Sequence, residues 1–181
     1  IAVTNAESET TTSVYDATSR IIAVVNPLGN RTTTAYDRTG QPVSLMNALG
    51  QVTTTTYDAA GRAVAVTNPL GETTTSVFDR ANRKIAVINP LLETNSTVYD
   101  AASRVIASIN PLGNRTTTAY DAANRPVSLL NPELERSSTV YDHSGRTVNT
   151  INPLGFVTTT AYDKANRVIA VSNPEQETTT T

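Results

Sequence analysis

The sequence repeats itself every 21 residues. An aromatic residue followed by aspartate recurs at this interval eight times, and an asparagine recurs at the same interval nine times, without an insertion. A unit this short cannot bury enough apolar surface to fold alone, so neighbouring units must supply its stability, as in other repeat proteins. The period therefore predicts that residues 1–181 form a single array of about eight and a half repeats.

Three residue types mark each repeat, whose consensus is N-P-L-G-x-x-T-T-T-x-Y-D-x-x-x-R-x-V-A-V-x. An arginine lies four residues after the aspartate in seven of the eight copies, and Gln41 takes its place in the other. The resulting sets are Tyr15, Asp16 and Arg20; Tyr36 and Asp37; Tyr57, Asp58 and Arg62; Phe78, Asp79 and Arg83; Tyr99, Asp100 and Arg104; Tyr120, Asp121 and Arg125; Tyr141, Asp142 and Arg146; and Tyr162, Asp163 and Arg167. The recurring asparagines are Asn5, Asn26, Asn47, Asn68, Asn89, Asn110, Asn131, Asn152 and Asn173.

Each repeat offers two strands and two turns. Runs of threonine, valine and isoleucine, such as Thr73–Phe78 and Val64–Thr67, suit a pleated sheet and disfavour a helix. The D-x-x-x-R segment predicts a turn, because aspartate accepts nearby backbone N–H groups and glycine, asparagine or serine at its fourth position tolerates a positive φ. The N-P-L-G segment predicts a type I turn, since proline fixes φ at its second position.

This alternation predicts an all-β fold, in which antiparallel hairpins follow one another along the chain. We expect one continuous sheet that curls into a spiral shell or tube, because twisted open sheets seldom exceed about ten strands.

Composition excludes several function classes. The chain has no cysteine and one histidine, which rules out disulfides, thiolate metal sites and multi-histidine metal sites. A net charge of −2 argues against nucleic acid as a partner. No apolar run is long enough for a membrane span in this segment. The first residue is isoleucine, and we expect the chain to be a fragment of a longer protein.

The column of eight aspartates is the most suggestive candidate for a metal site. Calcium, however, needs about six to eight oxygen ligands, and each repeat offers one carboxylate with an arginine nearby. The favoured interpretation is that each aspartate caps its own turn and pairs with an arginine of the same or the next repeat. No metal or other cofactor is predicted.

The aromatic column and the remaining polar residues suggest no catalyst. The aromatic rings could stack on sugars, or they could form a ladder with hydrogen-bonded hydroxyls; Phe78 favours the ladder, since it keeps the ring and lacks the hydroxyl. The asparagines could bind a ligand, but they more simply begin turns. His143 lies in a turn, and no nucleophile elbow is present, so we expect no enzyme activity.

The motif Y-D-x-x-G-R at Tyr57–Arg62 and Tyr141–Arg146, repeated every 21 residues, resembles the YD repeats of the RHS proteins over the whole chain. That family includes polymorphic bacterial toxins, large subunits of insecticidal toxin complexes and the teneurins. The resemblance implies a long β-sheet that spirals into a hollow shell, which encloses a toxic C-terminal domain or serves as an extracellular scaffold.

We therefore expect a structural protein, secreted or at the cell surface, that forms a shell, tube or filament. A cocoon around a toxin domain and a carbohydrate-binding surface module are the alternatives. The expected partners are further repeats of the same protein, including head-to-tail self-association through unpaired strand edges, and a glycan for the third hypothesis.

Overall fold

The computed structural model describes residues 1–4 and 10–180, and Asn5 lies outside them. The chain divides into two units, residues 1–94 and 95–181. Within each unit, each strand pairs antiparallel with the next one along the chain. No helix occurs in the described residues. The prediction of an all-β array of antiparallel hairpins is confirmed.

Strands of five or six residues make up both units, apart from a short strand at each end of the described chain. In the first unit they are β1 (Ala2–Thr4), β2 (Thr10–Tyr15), β3 (Ile21–Val25), β4 (Arg31–Tyr36), β5 (Pro42–Met46), β6 (Val52–Tyr57), β7 (Ala63–Thr67), β8 (Thr73–Phe78) and β9 (Lys84–Ile88). The strand β10 (Thr94–Tyr99) begins at the boundary. The second unit continues with β11 (Val105–Ile109), β12 (Arg115–Tyr120), β13 (Pro126–Leu130), β14 (Arg136–Tyr141), β15 (Thr147–Ile151), β16 (Val157–Tyr162), β17 (Val168–Ser172) and β18 (Thr178–Thr180).

Every hairpin that contains an aromatic–aspartate pair also contains a β-bulge. In the first of them Val14 pairs with Ala23 and Tyr15 pairs with Ile21, so that Ile22 has no partner across the hairpin. The same shift recurs in the other seven hairpins of this type. The unpaired residue is aliphatic in all eight copies. A bulge bends its strand and increases the local twist, and its recurrence adds the same distortion to each repeat.

The two kinds of turn are built alike. In the turn that begins at Asp58, the carbonyl of Asp58 accepts the N–H of Gly61 at 3.0 Å, and the N–H of Asp58 donates to the carbonyl of Arg62 at 3.0 Å. The turn that begins at Asn26 makes the same two bonds with Gly29 and Asn30. We call these the Asp turns and the Asn turns. Because successive hairpins reverse direction, the two kinds lie at opposite ends of the strands.

The fourth residue of each turn adopts a positive φ, between 62° and 89°. In the Asp turns this residue is glycine, asparagine or serine, as the sequence predicts. In three Asn turns the consensus glycine is replaced, and Leu92, Leu134 and Gln176 take the same left-handed conformation at 64°, 63° and 64°. A residue with a Cβ is disfavoured in this conformation, so Leu92, Leu134 and Gln176 carry local strain. The hydrogen bonds of each turn keep the residue in this strained conformation.

The sheet of each unit is one layer thick and encloses little. Among the described apolar residues only Ala23 and Ala107 are buried, each 1% exposed. The leucines of the Asn turns are almost fully exposed, with Leu28 at 85% and Leu112 at 84%. Cohesion therefore comes from backbone ladders and from contacts between repeats rather than from a core.

Exchanging the strained residue for glycine tests this account of the turns. We expect Leu92→Gly to raise the free energy of unfolding by about 1 kcal/mol, because glycine adopts positive φ without a steric penalty. The reverse exchange at the matched position, Gly71→Leu, should lower it by about the same amount. Urea unfolding followed by circular dichroism measures both changes, and equal stability of all three proteins would contradict the prediction.

Candidate functional site

Each Asp turn is closed by its own aspartate side chain. In the turn at Asp100, the carboxylate Oδ1 accepts the backbone N–H of Ala102 at 2.9 Å and that of Arg104 at 3.0 Å. The other carboxylate oxygen, Oδ2, accepts the Nε–H of Arg104 at 2.6 Å. All seven Asp turns that contain the arginine have this ion pair. The carboxylate thus fixes both the turn and the direction of the arginine side chain.

The arginine then crosses to the next repeat. The guanidinium carbon of Arg104 lies 4.8 Å from the centroid of the Tyr120 ring, and Nη1 donates to the backbone carbonyl of Asp121 at 3.3 Å and to Oδ1 of Asn124 at 2.9 Å. We call this set of contacts the arginine link. Stacked pairs at 4.5–4.9 Å also join Arg20 to Tyr36, Arg62 to Phe78, Arg125 to Tyr141 and Arg146 to Tyr162.

The tyrosine hydroxyl adds a second connection to the preceding repeat. The hydroxyl of Tyr120 donates to the carbonyl of Val105, the residue that follows Arg104, at 2.9 Å. Tyr36, Tyr57, Tyr141 and Tyr162 make equivalent bonds at 2.9–3.0 Å. Phe78 lacks the hydroxyl but keeps Arg62 on its ring. The ring therefore takes part in the link even where the hydroxyl is absent.

Burial of the arginine depends on having a next repeat. The five arginines whose next repeat lies in the same unit have side chains 27–34% exposed, whereas the side chain of Arg167 is 80% exposed. The carboxylate of Asp163, the partner of Arg167, is covered like the others, at 21%. The aspartate is thus covered within its own turn, and the arginine is covered by its neighbour.

The hydrogen bonds to the aspartates change their acidity. The pKa of each of the eight carboxyls lies below the usual value, and for six of them the leading cause is the backbone N–H of the arginine four residues on. At Asp58 the arginine side chain contributes most to lowering the pKa. At Asp37, where that arginine is missing, the hydroxyl of Thr39 lowers the pKa most. All eight remain charged at neutral pH.

The asparagines close their own turns in the same manner. Oδ1 of Asn68 accepts the N–H groups of Leu70 and Glu72 at 2.9 and 3.0 Å, and its Nδ2 donates to the Glu72 carboxylate at 2.7 Å. Side-chain oxygens of Asn26, Asn47, Asn89, Asn110, Asn131, Asn152 and Asn173 accept N–H groups of their own turns in the same way. These bonds satisfy backbone N–H groups of the turn, and none of these bonds reaches a neighbouring repeat.

The described residues form no catalytic or metal site around the other sequence-based candidates. His143 is exposed in its turn. No group of three or more histidine, aspartate or glutamate side chains suited to a metal occurs in residues 1–4 and 10–180. The same residues contain no helix long and apolar enough to cross a membrane.

A double-mutant cycle measures the stacking contribution of the link. We expect Arg104 and Tyr120, replaced by glutamine and leucine singly and together, to show a coupling energy of about 0.5–1 kcal/mol in urea unfolding, because the guanidinium lies on the ring face. The matched control is the cycle of Gln41→Ala with Tyr57→Leu, which lacks a cation. Equal coupling in the two cycles would refute a special contribution of the arginine.

Acid should destabilise the array through the aspartates. Because their pKa values are lowered in the folded protein, the stabilisation is complete above the usual aspartate pKa of about 4 and is lost as the pH falls toward the folded values. We expect the thermal midpoint to be level from pH 8 to pH 5 and to fall below about pH 4. Asp121→Asn keeps an Oδ1 for the turn and should reduce this acid sensitivity; an unchanged profile would contradict the prediction.

Known proteins share both the sequence pattern and the fold. The RHS Repeat family matches at residues 15–45, 36–73, 57–93, 99–133 and 141–178. No curated protein matches the chain. Among solved structures, the crystal structure of TcdB2-TccC3 matches with a TM-score of 0.71 and 14% identity over 98% of this chain and 11% of that one.

Two related crystal structures extend the comparison. TcdB2-TccC3 without its hypervariable C-terminal region gives a TM-score of 0.54, and TcdB2-TccC3-Cdc42 gives 0.53; both are 14% identical over 96% of this chain and 12% of the other. This chain therefore spans about a ninth of the length of the structures that it matches. Since the family pattern covers most of the 181 residues, the chain belongs to the RHS repeat family.

Proposed function

We propose that this chain is a structural wall element, whose task is to extend a β-sheet of regular geometry, and that it has no catalytic role. The observation that carries the proposal is the arginine link, because the side chain most suited to bind a ligand is used in contacts between repeats. A scaffold needs the same connection between every pair of repeats. Catalysis, by contrast, needs one group of side chains that differs from its surroundings.

The proposed setting is outside the cell, in a shell, tube or filament on the surface or in the medium. Membership of the RHS repeat family supports a shell-like assembly with further repeats. Head-to-tail association of copies would extend the same ladder, since an open strand edge accepts another strand. A surface that binds glycans is less favoured, because guanidinium groups cover one face of the rings that would stack on sugars.

A cocoon around a cargo domain is the second candidate. It is favoured by the fold match to TcdB2-TccC3, a chain about nine times longer, of which one structure lacks a hypervariable C-terminal region. In this version the repeats form the enclosing wall and a separate domain of the full-length polypeptide is the cargo.

Cryo-electron microscopy of the full-length polypeptide, purified from the medium of its own host, tests the proposal. We expect a continuous β-wall, either hollow or filamentous, and its presence in the medium rather than in the cell lysate. Density for a folded domain inside the wall would select the cocoon. Repeats that appear as separate bodies on flexible tethers, or protein retained inside the cell, would contradict the proposed function.

A further inference from the structure

One Asp turn lacks the arginine, and the contacts made by the arginine elsewhere are left open there. Gln41 takes the position, donates from Nε2 to the carbonyl of Gly61 at 3.1 Å, and carries no charge. We call the surroundings of this side chain the Gln41 gap. They form a surface cavity of about 790 Å³, lined by residues of two adjacent repeats that include Asp37, Val43, Tyr57 and Asp58.

The gap retains the acceptors of an arginine link. Oδ1 of Asp37 accepts the N–H groups of Thr39 and Gln41 and the hydroxyl of Thr39, whereas its Oδ2, which would face an arginine Nε–H, receives no hydrogen bond in the described structure. The carbonyl of Asp58 accepts the N–H of Gly61 but, within the part of the chain that the structure describes, no side-chain donor. The two residues that carry this carboxylate oxygen and this carbonyl, Asp37 and Asp58, both line the cavity.

An aromatic surface completes the gap. Tyr57 keeps its hydroxyl bond to the carbonyl of Pro42 at 3.0 Å, so the ring holds the orientation seen in the linked repeats. No cation from residues 1–4 or 10–180 lies over this ring, whereas Tyr36 in the preceding repeat has Arg20 at 4.7 Å. Oε1 of Gln41 lies 3.3 Å from the hydroxyl of Thr39, whose single proton is donated to Asp37 Oδ1 at 2.7 Å, so this amide oxygen has capacity to accept a hydrogen bond.

We propose that the Gln41 gap binds a guanidinium group from outside the array, supplied by an arginine side chain of a peptide or by a small guanidinium compound. A planar cation with several N–H donors satisfies the Asp37 carboxylate, stacks on the Tyr57 ring and reaches the Asp58 carbonyl together. The same three kinds of acceptor hold arginine in the neighbouring repeats. A neutral ligand lacks the charge that the carboxylate and the ring attract.

Titration with ethylguanidinium, followed by NMR of the Tyr57 ring and the Gly61 amide, tests the proposal. We expect saturable shifts at these two residues, with ethylurea as the neutral control giving none. Gln41→Arg restores the consensus residue and should weaken the binding at least about tenfold, because its own side chain fills the gap. Absence of shifts in the wild type, or equal shifts in Gln41→Arg, would overturn the proposal.

A matched variant creates the gap at a second place. In Arg104→Gln we expect new ethylguanidinium shifts at Tyr120 and Asn124, with those at Tyr57 unchanged; shifts confined to Tyr57 would overturn the claim that a missing arginine makes the site. An acetylated, amidated Gly-Arg-Gly peptide identifies the source of the group. Binding tighter than that of ethylguanidinium indicates a peptide partner, and equal binding indicates a small compound.

Discussion

An arginine side chain extends from one turn and stacks on the aromatic ring of the next repeat. This contact stabilises a sheet that is one layer thick and therefore has no core to stabilise it. Arg104 is fixed at one end by the Asp100 carboxylate and at the other by Tyr120 and the carbonyl of Asp121. Each such stack contributes about 0.5–1 kcal/mol, and contributions of neighbours add along a repeat array. The structure therefore tolerates Gln41, because one weaker connection is offset by the ladder bonds on both sides.

Much of the fold could be predicted from residue types alone, because its determinants are local. Thr73–Phe78 is a strand with the predicted bounds, and Gly61 has the predicted positive φ. The bulge at Ile22 was missed, since nothing in a run of aliphatic residues distinguishes an extra residue from a paired one. The left-handed Leu92 was missed because its conformation is set by the hydrogen bonds of the turn and opposes its own preference.

The contacts within one turn of the candidate site could be predicted from the sequence, but the contact between neighbouring repeats could not. The spacing of Asp100 and Arg104 within one turn indicates an ion pair, and the structure places them 2.6 Å apart. The stack of Arg104 on Tyr120 joins residues 16 positions apart in sequence, and only the lateral spacing of neighbouring strands brings them together. The sequence did indicate this stack, because the arginine and the aromatic residue recur at a constant spacing. Gln41 is the one exception among the arginine positions.

The arginine link also sets the unit in which such a chain can change its length. Five arginines, namely Arg20, Arg62, Arg104, Arg125 and Arg146, each bind an aspartate four residues before them and a backbone carbonyl 17 residues after them. Loss of a single residue within a strand would turn the side chains of the rest of that strand to the opposite face of the sheet. Removal of 21 residues, by contrast, joins one arginine to an equivalent ring. Gene rearrangement can therefore lengthen or shorten the repeat array without disturbing it only by whole repeats.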